Sequence, residues 1–321
     1  MNDISVARVL LLCPPSSYRL TAYLNAAREL GMELVVGSAG EHSLITELAE
    51  GLHVDFADPA GTVARIVAFD QRLPLAAILA SDDATVEIAA LAAQALGLPA
   101  NSPQAAQLAR RKDLARAHLQ AAGLPVPRHR AVDLTQALGA QLAGFPLPTV
   151  AKPVSMSGSR GVIRADSRDE LLSACETIRS IAAELDNPEE SAQLLLEQYI
   201  DGVEVAADGM LAAGVLQPLA LFDKPEPLVG PTFEESYYIT PSRLDAALQA
   251  QIWRILERAC ASYGLQHGPV HAELRIAADG PVILEIAART IGGECARMFD
   301  NSLPASMEAL VLWRPLAGRW R

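Results

Sequence analysis

The chain has 321 residues, a formal net charge of -12 at pH 7 and 50% hydrophobic residues. This length exceeds one ordinary core, so we expect two or three subdomains around a cleft. The negative charge repels phosphate backbones and argues against a nucleic-acid partner. No apolar run approaches the roughly 20 residues that cross a bilayer, and the acidic, lysine-free start is unlike a signal peptide. We expect a cytoplasmic protein, without a membrane partner, that acts on small molecules.

Four cysteines, Cys13, Cys175, Cys260 and Cys295, lie far apart in the sequence without a CxxC pair. No histidine stands at ligand spacing from them, so the pattern indicates neither a zinc site nor a disulfide framework. We expect reduced and mostly buried thiols.

The first part of the chain alternates short apolar segments with helical patterns. The pattern predicts strands at 7–13, 32–39 and 75–83 and helices at 16–31, 62–72 and 84–97. The first helix is expected to begin at serine caps and to end at Gly31. Alternating strands and helices imply a parallel sheet that is covered on both faces, which makes residues 1–103 a small doubly wound domain.

Ligands of such sheets bind beyond the carboxyl ends of the strands, here near "CPPSSYR" and "SDD". Neither segment is a GxGxxG phosphate loop, so a dinucleotide dehydrogenase has little support. Asp82 and Asp83 are interpreted as a helix-capping pair.

Beyond position 102 the pattern changes. It predicts one helix over 103–123 that carries Lys112, an extended entry over 124–132, a strand and turn over 145–165, and a helix through Ile178. The chain has no long linker and no repeat of about 20 to 50 residues. We expect one enzyme with several lobes.

Lysine is rare in this chain. Of the 26 lysines and arginines, only three are lysines: Lys112, Lys152 and Lys224. An arginine-rich composition explains most of this, but a lysine ammonium suits single phosphate oxygens. After Lys152 comes a turn of small residues, Ser157, Gly158, Ser159 and Gly161, whose backbone N–H groups can approach phosphate. A plain hairpin turn explains the same residues equally well.

The segment "LLLEQYIDGVEV" is an apolar run that ends in acids and a glycine. An extended stretch over Glu197, Gln198, Tyr199 and Ile200 can offer backbone groups to an adenine edge, and Glu204 can accept from ribose hydroxyls. An edge strand followed by a turn with solvated acids fits the same spacing.

The segment "VHAELRIAADGPVILEIAAR" predicts two strands joined by a three-residue loop, 278–280, that ends in a glycine. The expected apolar face consists of Ala272, Leu274, Ile276, Val282, Leu284 and Ile286. This register places Glu273 directly across from Glu285. A two-residue Asp279–Gly280 turn would place the two acids on opposite faces.

Two facing carboxylates repel each other unless a cation lies between them. Magnesium is the expected ion, since it takes one or two carboxylates together with nucleotide phosphates. Arg289 shares the polar face and can hold a phosphoryl group or a carboxylate, although an ion pair with Glu285 is an alternative. His271 either orients a substrate or satisfies a buried hydrogen bond.

In this order the segments resemble the ATP-grasp superfamily, more closely its carboxylate-amine ligase branch, the relatives of bacterial L-amino acid ligases. The matching segments are "RRKDLARAHLQAAGLPVPRHR", "PTVAKPVSMSGSRGV", "LLLEQYIDGVEV", "HGPVHAELRI" and "LEIAARTIGGE". The resemblance implies a mixed α/β and α+β fold. It has an N-terminal pre-ATP-grasp domain (1–103), a central lobe with the phosphate loop (104–190) and a C-terminal lobe with the metal site (191–321). The nucleotide cleft lies between the two α+β lobes.

The resemblance also implies a role for each candidate residue. The implied ATP ligands are Lys112, Lys152, the 155–161 loop, the 197–200 segment and Glu204. Glu273 and Glu285 would hold Mg²⁺ or Mn²⁺, and Arg289 would hold an acyl phosphate. Lys224 is a weaker candidate for phosphate or substrate contact.

The sequence departs from the family pattern in two places. Many members have asparagine two residues after the second metal glutamate, where this chain has Ala287. An alanine side chain cannot bind a second metal ion. The chain also ends soon after Arg289, so the resemblance leaves a closing element either missing or supplied by a partner subunit.

The implied reaction joins a small carboxylate to an amine. The carboxylate attacks the γ-phosphate of Mg-ATP, which gives ADP and an acyl phosphate, and the amine then displaces phosphate. No nucleophilic serine or cysteine is required. Within 230–241, Glu234, Glu235 or Tyr238 either recognises an amino group or lies in a solvated loop.

Two alternatives stay open: a purine-pathway or biotin-carboxylase-like ATP-grasp enzyme, and a non-catalytic ATP-binding partner subunit. The apolar segment "LPASMEALVLW" near the end packs either on the core or at a homodimer interface.

Overall fold

The N-terminal domain is built on a parallel sheet. The computed structural model describes residues 7–15, 17–40, 50–185, 187–235, 237–301 and 305–313. The strands are β1 (Arg8–Leu12), β2 (Glu33–Ser38), β3 (Glu50–His53) and β4 (Ala77–Ala80), in the order β3-β2-β1-β4. The helices are α1 (Leu20–Glu29), α2 (Pro59–Asp70) and α3 (Asp83–Leu96). All described strand pairs here are parallel.

Alternate side chains of β1 pack on opposite faces of this sheet. Val9 and Leu11 belong to a core cluster with α1, whereas Leu10 and Leu12 belong to a cluster with α2 and α3. A strand buried on both faces has no polar side to expose, which is why its sequence is a continuous apolar run. The predicted doubly wound domain is confirmed.

The predicted start of the first helix is wrong. Helix α1 begins at Leu20, and its N-cap, Arg19, makes no side-chain cap hydrogen bond. Ser17 Oγ instead donates to Asp82 Oδ2 at 2.8 Å. Asp82 caps α3 in a capping box with Thr85, as predicted, so one carboxylate receives both contacts. Strand β3 was not predicted.

The predicted single helix over 103–123 is also wrong. The chain forms α4 (Pro103–Arg110) and α5 (Lys112–Ala121), separated by Arg111 in an extended conformation with φ -89° and ψ 100°. The Lys112 N–H donates to Val154 O at 2.8 Å, so a tertiary contact replaces a helical one at this point. No proline or glycine marks the break in the sequence.

The middle sheet is antiparallel. Its strands are β5 (His129–Asp133), β6 (Thr149–Pro153), β7 (Ile163–Ala165) and β8 (Gln193–Gln198), in the order β5-β8-β6-β7. The accompanying helices are α6 (Leu138–Leu142), α7 (Arg168–Ala182) and α8 (Pro188–Ser191). Leu171 and Ile178 of α7 pack against Leu194 and Leu196 of β8 in one core cluster. The opposite face of β6 and β8 is left to carry polar side chains.

The C-terminal sheet is also antiparallel. Its strands are β9 (Val203–Ala212), β10 (Val215–Lys224), β11 (His267–Ala277) and β12 (Gly280–Ala287), in the order β10-β9-β11-β12. Its helices are α9 (Ala246–Tyr263), the 3₁₀ helix Gly293–Asn301 and α10 (Met307–Trp313). Among the described residues, no helix combines the length and the apolar character needed to span a membrane.

The apolar segment near the C-terminus packs on the core. Met307, Val311 and Leu312 of α10 are buried in the cluster that contains α1 and the β9–β10 side chains Met210 and Phe222. The first two residues of the predicted segment lie outside the described residues. This cluster joins the N-terminal domain to the C-terminal sheet.

The β11–β12 hairpin reaches the predicted pairing by a different route. Ala277 pairs with Gly280, so the loop has two residues, not three, and Leu274 pairs with Ile283. After Ile283, β12 has one extra residue, Leu284, which has no partner on β11. Glu273 therefore pairs with Glu285, as predicted. The expected apolar face of β12 is confirmed at Ile286, which is buried in the core, but it is wrong at Val282 and Leu284. Ile283 is fully buried instead, and Leu284 faces the cavity.

Candidate functional site

A cavity of about 810 Å³ lies between the middle and C-terminal sheets, and residues of the N-terminal domain line one end of it. Sixteen residues were predicted from the sequence as ligands or catalytic groups, and all of them except Gly161 and Lys224 line this cavity. Those that line the cavity are Lys112, Lys152, Ser157, Gly158, Ser159, Glu197, Gln198, Tyr199, Ile200, Glu204, His271, Glu273, Glu285 and Arg289. Of the substrate candidates, Glu235 and Tyr238 also line it.

The first polar group in the cavity is the Lys152 cluster, which consists of Arg116, Lys152 and Glu197. Lys152 Nζ lies 2.6 Å from Glu197 Oε2, and Arg116 binds the other carboxylate oxygen. All three are buried. Burial opposes ionisation of Glu197, but Arg116 and Lys152 outweigh it and hold its pKa below the ordinary value. Burial lowers the pKa of Lys152, and Glu197 partly offsets that effect.

Lys112 connects the loop after β6 with β12. Its Nζ donates to Met156 O at 2.8 Å and lies 3.3 Å from Glu285 Oε1. Because Lys112 is the first residue of α5, the break at Arg111 is what directs this side chain at the cavity. The ammonium therefore stands between the serine- and glycine-rich loop and a predicted metal ligand.

The loop itself requires left-handed backbone at three positions. Gly158, Ser159 and Gly161 have φ of 66°, 54° and 73°. A Cβ at Gly161 would lie 2.9 Å from Pro153 Cγ, so the loop packs closely on the end of β6. Gly161 supports the loop from behind, and Ser157, Gly158 and Ser159 present it to the cavity.

The segment after β8 lies at the other wall. The N–H groups of Gln198 and Tyr199 donate to Arg128 O and Pro148 O at 2.8 and 3.0 Å. Ile200 O accepts from Arg275 Nη1 at 2.9 Å. The Glu197 side chain is held by Arg116 and Lys152, so its carboxylate is already paired within the protein.

Two guanidinium groups hold the Tyr199 ring. The guanidinium carbons of Arg164 and Arg275 lie 4.2 and 4.8 Å from the ring centroid. Cation–π contacts of this kind fix a planar side chain at the edge of a site. Arg275 also donates to Glu204 Oε2 at 2.9 Å, so it connects the Tyr199 wall to the next group of charges.

The second polar group is the Lys224 cluster, which consists of Lys224, Arg275, Glu204, Glu235 and Glu273. Lys224 Nζ lies 2.7 Å from Glu204 and 2.8 Å from Glu273, and it also binds Glu235. Burial would lower the pKa of Lys224, but the three carboxylates, Glu273 foremost, raise it. Burial and the charge of Glu273 raise the pKa of Glu235.

Glu273 is also contacted by His271. His271 Nδ1 lies 3.4 Å from Asp208 Oδ2, and its Nε2 lies 3.8 Å from Glu273 Oε1. Burial would lower the pKa of His271, but Asp208 raises it to about 9. Burial would raise the pKa of Glu273, but Lys224 and His271 hold it well below the ordinary value. His271 is thus a buried cation paired with acids.

The donor chemistry of this region fits a divalent metal ion. Oxygens of Glu204, Glu235 and Glu273 all lie within 4.8 Å of one another, and Glu285 is paired with Glu273 on the neighbouring strand. Hard cations such as Mg²⁺ choose oxygen ligands of this type. Ala287 pairs with His271 and is fully buried, so that position adds no ligand.

Arg289 does not form the ion pair with Glu285 that was considered as an alternative. Its Nε donates to Asp83 Oδ2 of the N-terminal domain at 2.7 Å, and its Nη1 donates to Thr290 O at 3.0 Å. Glu285 is paired with Lys112 instead. The sequence placed Asp83 at the edge of the sheet where ligands are expected and interpreted it as one of a helix-capping pair, without an arginine partner.

Several residues at the site were missed from the sequence. The missed residues are Arg116, Met156, Asp208, Phe233 and Arg275. Arg19 and Asp83 also line the cavity, and they belong to the two segments at the sheet edge where ligands were expected. Arginine is so common in this chain that no single one stood out. Asp208 and Arg275 lie in apolar strands, and a charge within such a strand was the signal that found Glu273 and Glu285. The same signal applied to β9 and the rest of β11 finds them.

Two family matches fit this arrangement. Residues 24–100 match the ATP-grasp N-terminal domain, and residues 145–298 match the ATP-grasp domain. These ranges contain the N-terminal sheet from β2 onward and most of both lobes around the cavity. The predicted boundaries 103 and 190 between lobes stay predictions.

Known proteins resemble this chain over much of its length. It is 34% identical over 228 residues to carnosine synthase 1 from Gallus gallus, which covers 66% of this chain and 24% of that protein. It is 27% identical over 266 residues to alanine–anticapsin ligase from Bacillus subtilis (strain 168), covering 78% and 56%. The chain therefore spans about a quarter to about half of these curated relatives.

One solved structure shares the fold across nearly the whole chain. The L-amino acid ligase from Bacillus licheniformis superposes with a TM-score of 0.82 at 24% sequence identity, covering 96% of this chain and 74% of that one. At this identity the likeness establishes the fold.

Proposed function

This chain belongs to the ATP-grasp superfamily, and from that premise we propose that it is an ATP-dependent carboxylate-amine ligase. The reaction would join a small carboxylic acid to an amine as an amide, through an acyl phosphate, with release of ADP and phosphate. The expected substrates are amino acids or similar small molecules.

The observation that carries the proposal is the composition of the cavity. The Lys152 cluster, Lys112 and a loop of small residues stand on one side, and a group of carboxylates with Arg289 stands on the other. Phosphoryl transfer needs cations and backbone donors around phosphate, and oxygen ligands for the metal that accompanies it. Both sets open into the same space.

The residues of this chain would then divide the work. Lys112, Lys152 and the 155–161 loop would hold the phosphates, and the backbone of the 197–200 segment would meet the adenine edge. The region between the ribose and the phosphates of ATP would be contacted by Glu204, Arg275 and Lys224. These roles rest on the contacts described above and on the family pattern.

Glu273 and Glu285 are the proposed ligands of Mg²⁺, which would neutralise charge on the transferring group. Arg289 would bind the anionic acyl phosphate, since a guanidinium forms charge-assisted hydrogen bonds with such groups. Positioning and electrostatics then account for catalysis without a covalent enzyme intermediate. The buried thiols fit that view, since burial raises the pKa of Cys13, Cys175 and Cys260.

The names of the relatives support the substrate class. Alanine–anticapsin ligase is named for the two molecules that it joins, one of which is the amino acid alanine. Glu235 and Tyr238 line the cavity beside the proposed metal ligands, and Tyr238 donates to Glu235. A carboxylate at this position would recognise the ammonium group of an amino acid substrate.

The test is phosphate release from Mg-ATP with a pooled panel of amino acids and small carboxylic acids. Wild-type protein should release phosphate only when the pool is present. Glu285→Gln should lower that rate by roughly 100-fold or more, because one proposed metal ligand loses its charge. Asp279→Asn, in the exposed turn of the same hairpin, is the matched control and should keep the wild-type rate.

The panel also separates the alternatives. Release driven by bicarbonate or formate, and not by amino acids, would point to a biotin-carboxylase-like or purine-pathway enzyme. ATP binding measured by calorimetry, with no release under any condition, would refute the ligase proposal and favour a nucleotide-binding partner subunit.

A further inference from the structure

Three residues of the N-terminal domain form hydrogen bonds with the segment after β12. Asp83 accepts from Arg289 at 2.7 Å, Arg19 donates to the hydroxyl and the carbonyl of Thr290, and Tyr18 OH accepts from Gly293 N at 2.7 Å. The three N-terminal residues come from the two loops at the carboxyl edge of the parallel sheet. That edge is therefore in direct contact with the proposed acyl-phosphate arginine.

The contacts of Arg289 leave one part of its guanidinium open. Nε is held by Asp83 and Nη1 by Thr290 O, whereas Nη2 has no hydrogen-bond partner among the described residues. Arg289 lines the cavity. Its Nη2 is not one of the buried polar atoms that lack a partner, so this nitrogen is accessible. Two anchors on a planar group fix the direction of the remaining N–H groups.

Asp83 is not needed for the cap of its own helix. Asp82 is the N-cap of α3 and forms the capping box with Thr85. Asp82 also accepts from Ser17 and Ser81, so its carboxylate is fully engaged in local structure. The neighbouring acid, Asp83, is left to face Arg289, and both side chains are about nine-tenths buried.

Fixing an arginine in advance has a clear physical value. A free arginine side chain loses much of its rotamer freedom when it is immobilised, and this loss of entropy opposes binding. An interaction that already holds the group removes that cost from the step in which the anion binds. Asp83 also balances the buried charge of Arg289 before any anionic ligand arrives.

We propose that Asp83 is a positioning residue, through which the N-terminal domain aims Arg289 at the anionic group formed on the substrate carboxylate. The inference rests on the proposed ligase function for the identity of that anion. It assigns the N-terminal domain a part in catalysis beyond packing against the other lobes.

The first test compares four variants: Asp83→Asn, Arg289→Lys, the double variant, and Asp58→Asn. Asp58 is the exposed N-cap of α2 in the same domain, where its side chain accepts from Gly61 N at 2.9 Å, so it matches the chemistry of the change. Asp83→Asn should lower kcat by roughly 10- to 100-fold and leave the dissociation constant of Mg-ATP within about 2-fold. Asp58→Asn should match wild type.

The double variant separates positioning from a structural role. If Asp83 acts through Arg289, Asp83→Asn should cost less than about 3-fold in kcat once Arg289→Lys is present. Multiplicative losses would overturn the proposal, as would an Asp83→Asn enzyme with wild-type kcat. A rise in the Mg-ATP dissociation constant that matches the loss of kcat would show general damage instead. If Asp83→Asn does not fold, Asp83→Glu displaces the same charge by one methylene and replaces it in each comparison.

A second measurement does not depend on turnover. Aluminium fluoride with Mg-ADP mimics a transferring phosphoryl group, and its binding can be followed by calorimetry. Asp83→Asn should weaken that binding about 10-fold relative to wild type. Such weakening, in a protein that no acid in the panel activates, would reject the proposed ligase function but would retain the positioning of Arg289 by Asp83 toward a transferring phosphoryl group. Acid-dependent turnover with unchanged aluminium fluoride binding would do the reverse.

Discussion

Two of the three buried lysines, Lys152 and Lys224, have opposite surroundings. In the Lys152 cluster, Lys152 and Arg116 share one carboxylate, Glu197, which leaves a positive surplus. In the Lys224 cluster, Lys224 and Arg275 face three carboxylates, Glu204, Glu235 and Glu273, which leaves a negative surplus.

The difference shows how one cavity can receive both parts of a metal nucleotide. A positive surplus attracts phosphate oxygens, and a negative surplus attracts a divalent cation. Neither surplus is visible from one residue, because each lysine by itself is a plain cation. The sign is decided by the number of carboxylates that the fold brings to it.

The largest expected effect is that of Glu197→Ala. This change removes the carboxylate that Arg116 and Lys152 share and leaves two buried charges without a counter-ion. We expect the free energy of unfolding to fall by about 3–5 kcal/mol, measured by urea denaturation. Glu189→Ala is the control. That acid is exposed and lies 3.4 Å from Arg111, which keeps its closer ion pair with Asp113, so stability should change little. Similar results for both variants would mean that the Lys152 cluster is hydrated, and the comparison would then fail.

Lys224→Met tests the opposite cluster. In the absence of divalent cations we expect a loss of roughly 2–4 kcal/mol in unfolding free energy, because three carboxylates lose their shared cation. Addition of Mg²⁺ should then raise the melting temperature of the variant more than that of wild type, since the ion no longer competes with an ammonium. Arg254→Met, on the exposed face of α9, controls for the loss of a positive charge. Equal responses to Mg²⁺ would argue against a cation site among these acids.

The pH dependence of stability sharpens the comparison through His271. Its folded-state pKa of about 9 lies above the ordinary value of 6.5, chiefly because Asp208 outweighs burial. The imidazolium therefore stabilises the fold fully below pH 6.5, and this contribution is lost as pH rises through 9.

With EDTA present, wild-type protein should lose on the order of 3 kcal/mol of unfolding free energy across that window. His271→Asn should lack this slope, and His267→Asn, whose partly buried ring has a pKa that burial lowers, should retain it. A wild-type slope in His271→Asn would show that another group titrates in this window.

Local patterns predicted the elements that face one core. The alternation of apolar strands and helices up to position 103 gave the parallel sheet, because a strand buried on both faces must be apolar throughout. Acids within apolar strands gave Glu273 and Glu285, and the glycines after Lys152 marked a turn whose positive φ values the structure contains. Where tertiary contacts decide the backbone, prediction failed: at Arg111, the helix breaks so that Lys112 N–H can reach Val154 O.

The amino-acid sequence by itself determined the order of the motifs and the doubly wound domain. Nearly all of the site residues predicted from it line the cavity. Tertiary structure alone decided which charge meets which. Lys112 meets Glu285, Lys224 meets Glu273 and Arg289 meets Asp83 across long separations in the chain. The reason is that a residue pattern encodes which face of an element is buried, whereas the partner across that face depends on how whole elements pack. A single extra residue at Leu284 shows the scale of this effect, since it brings Glu285 opposite Glu273.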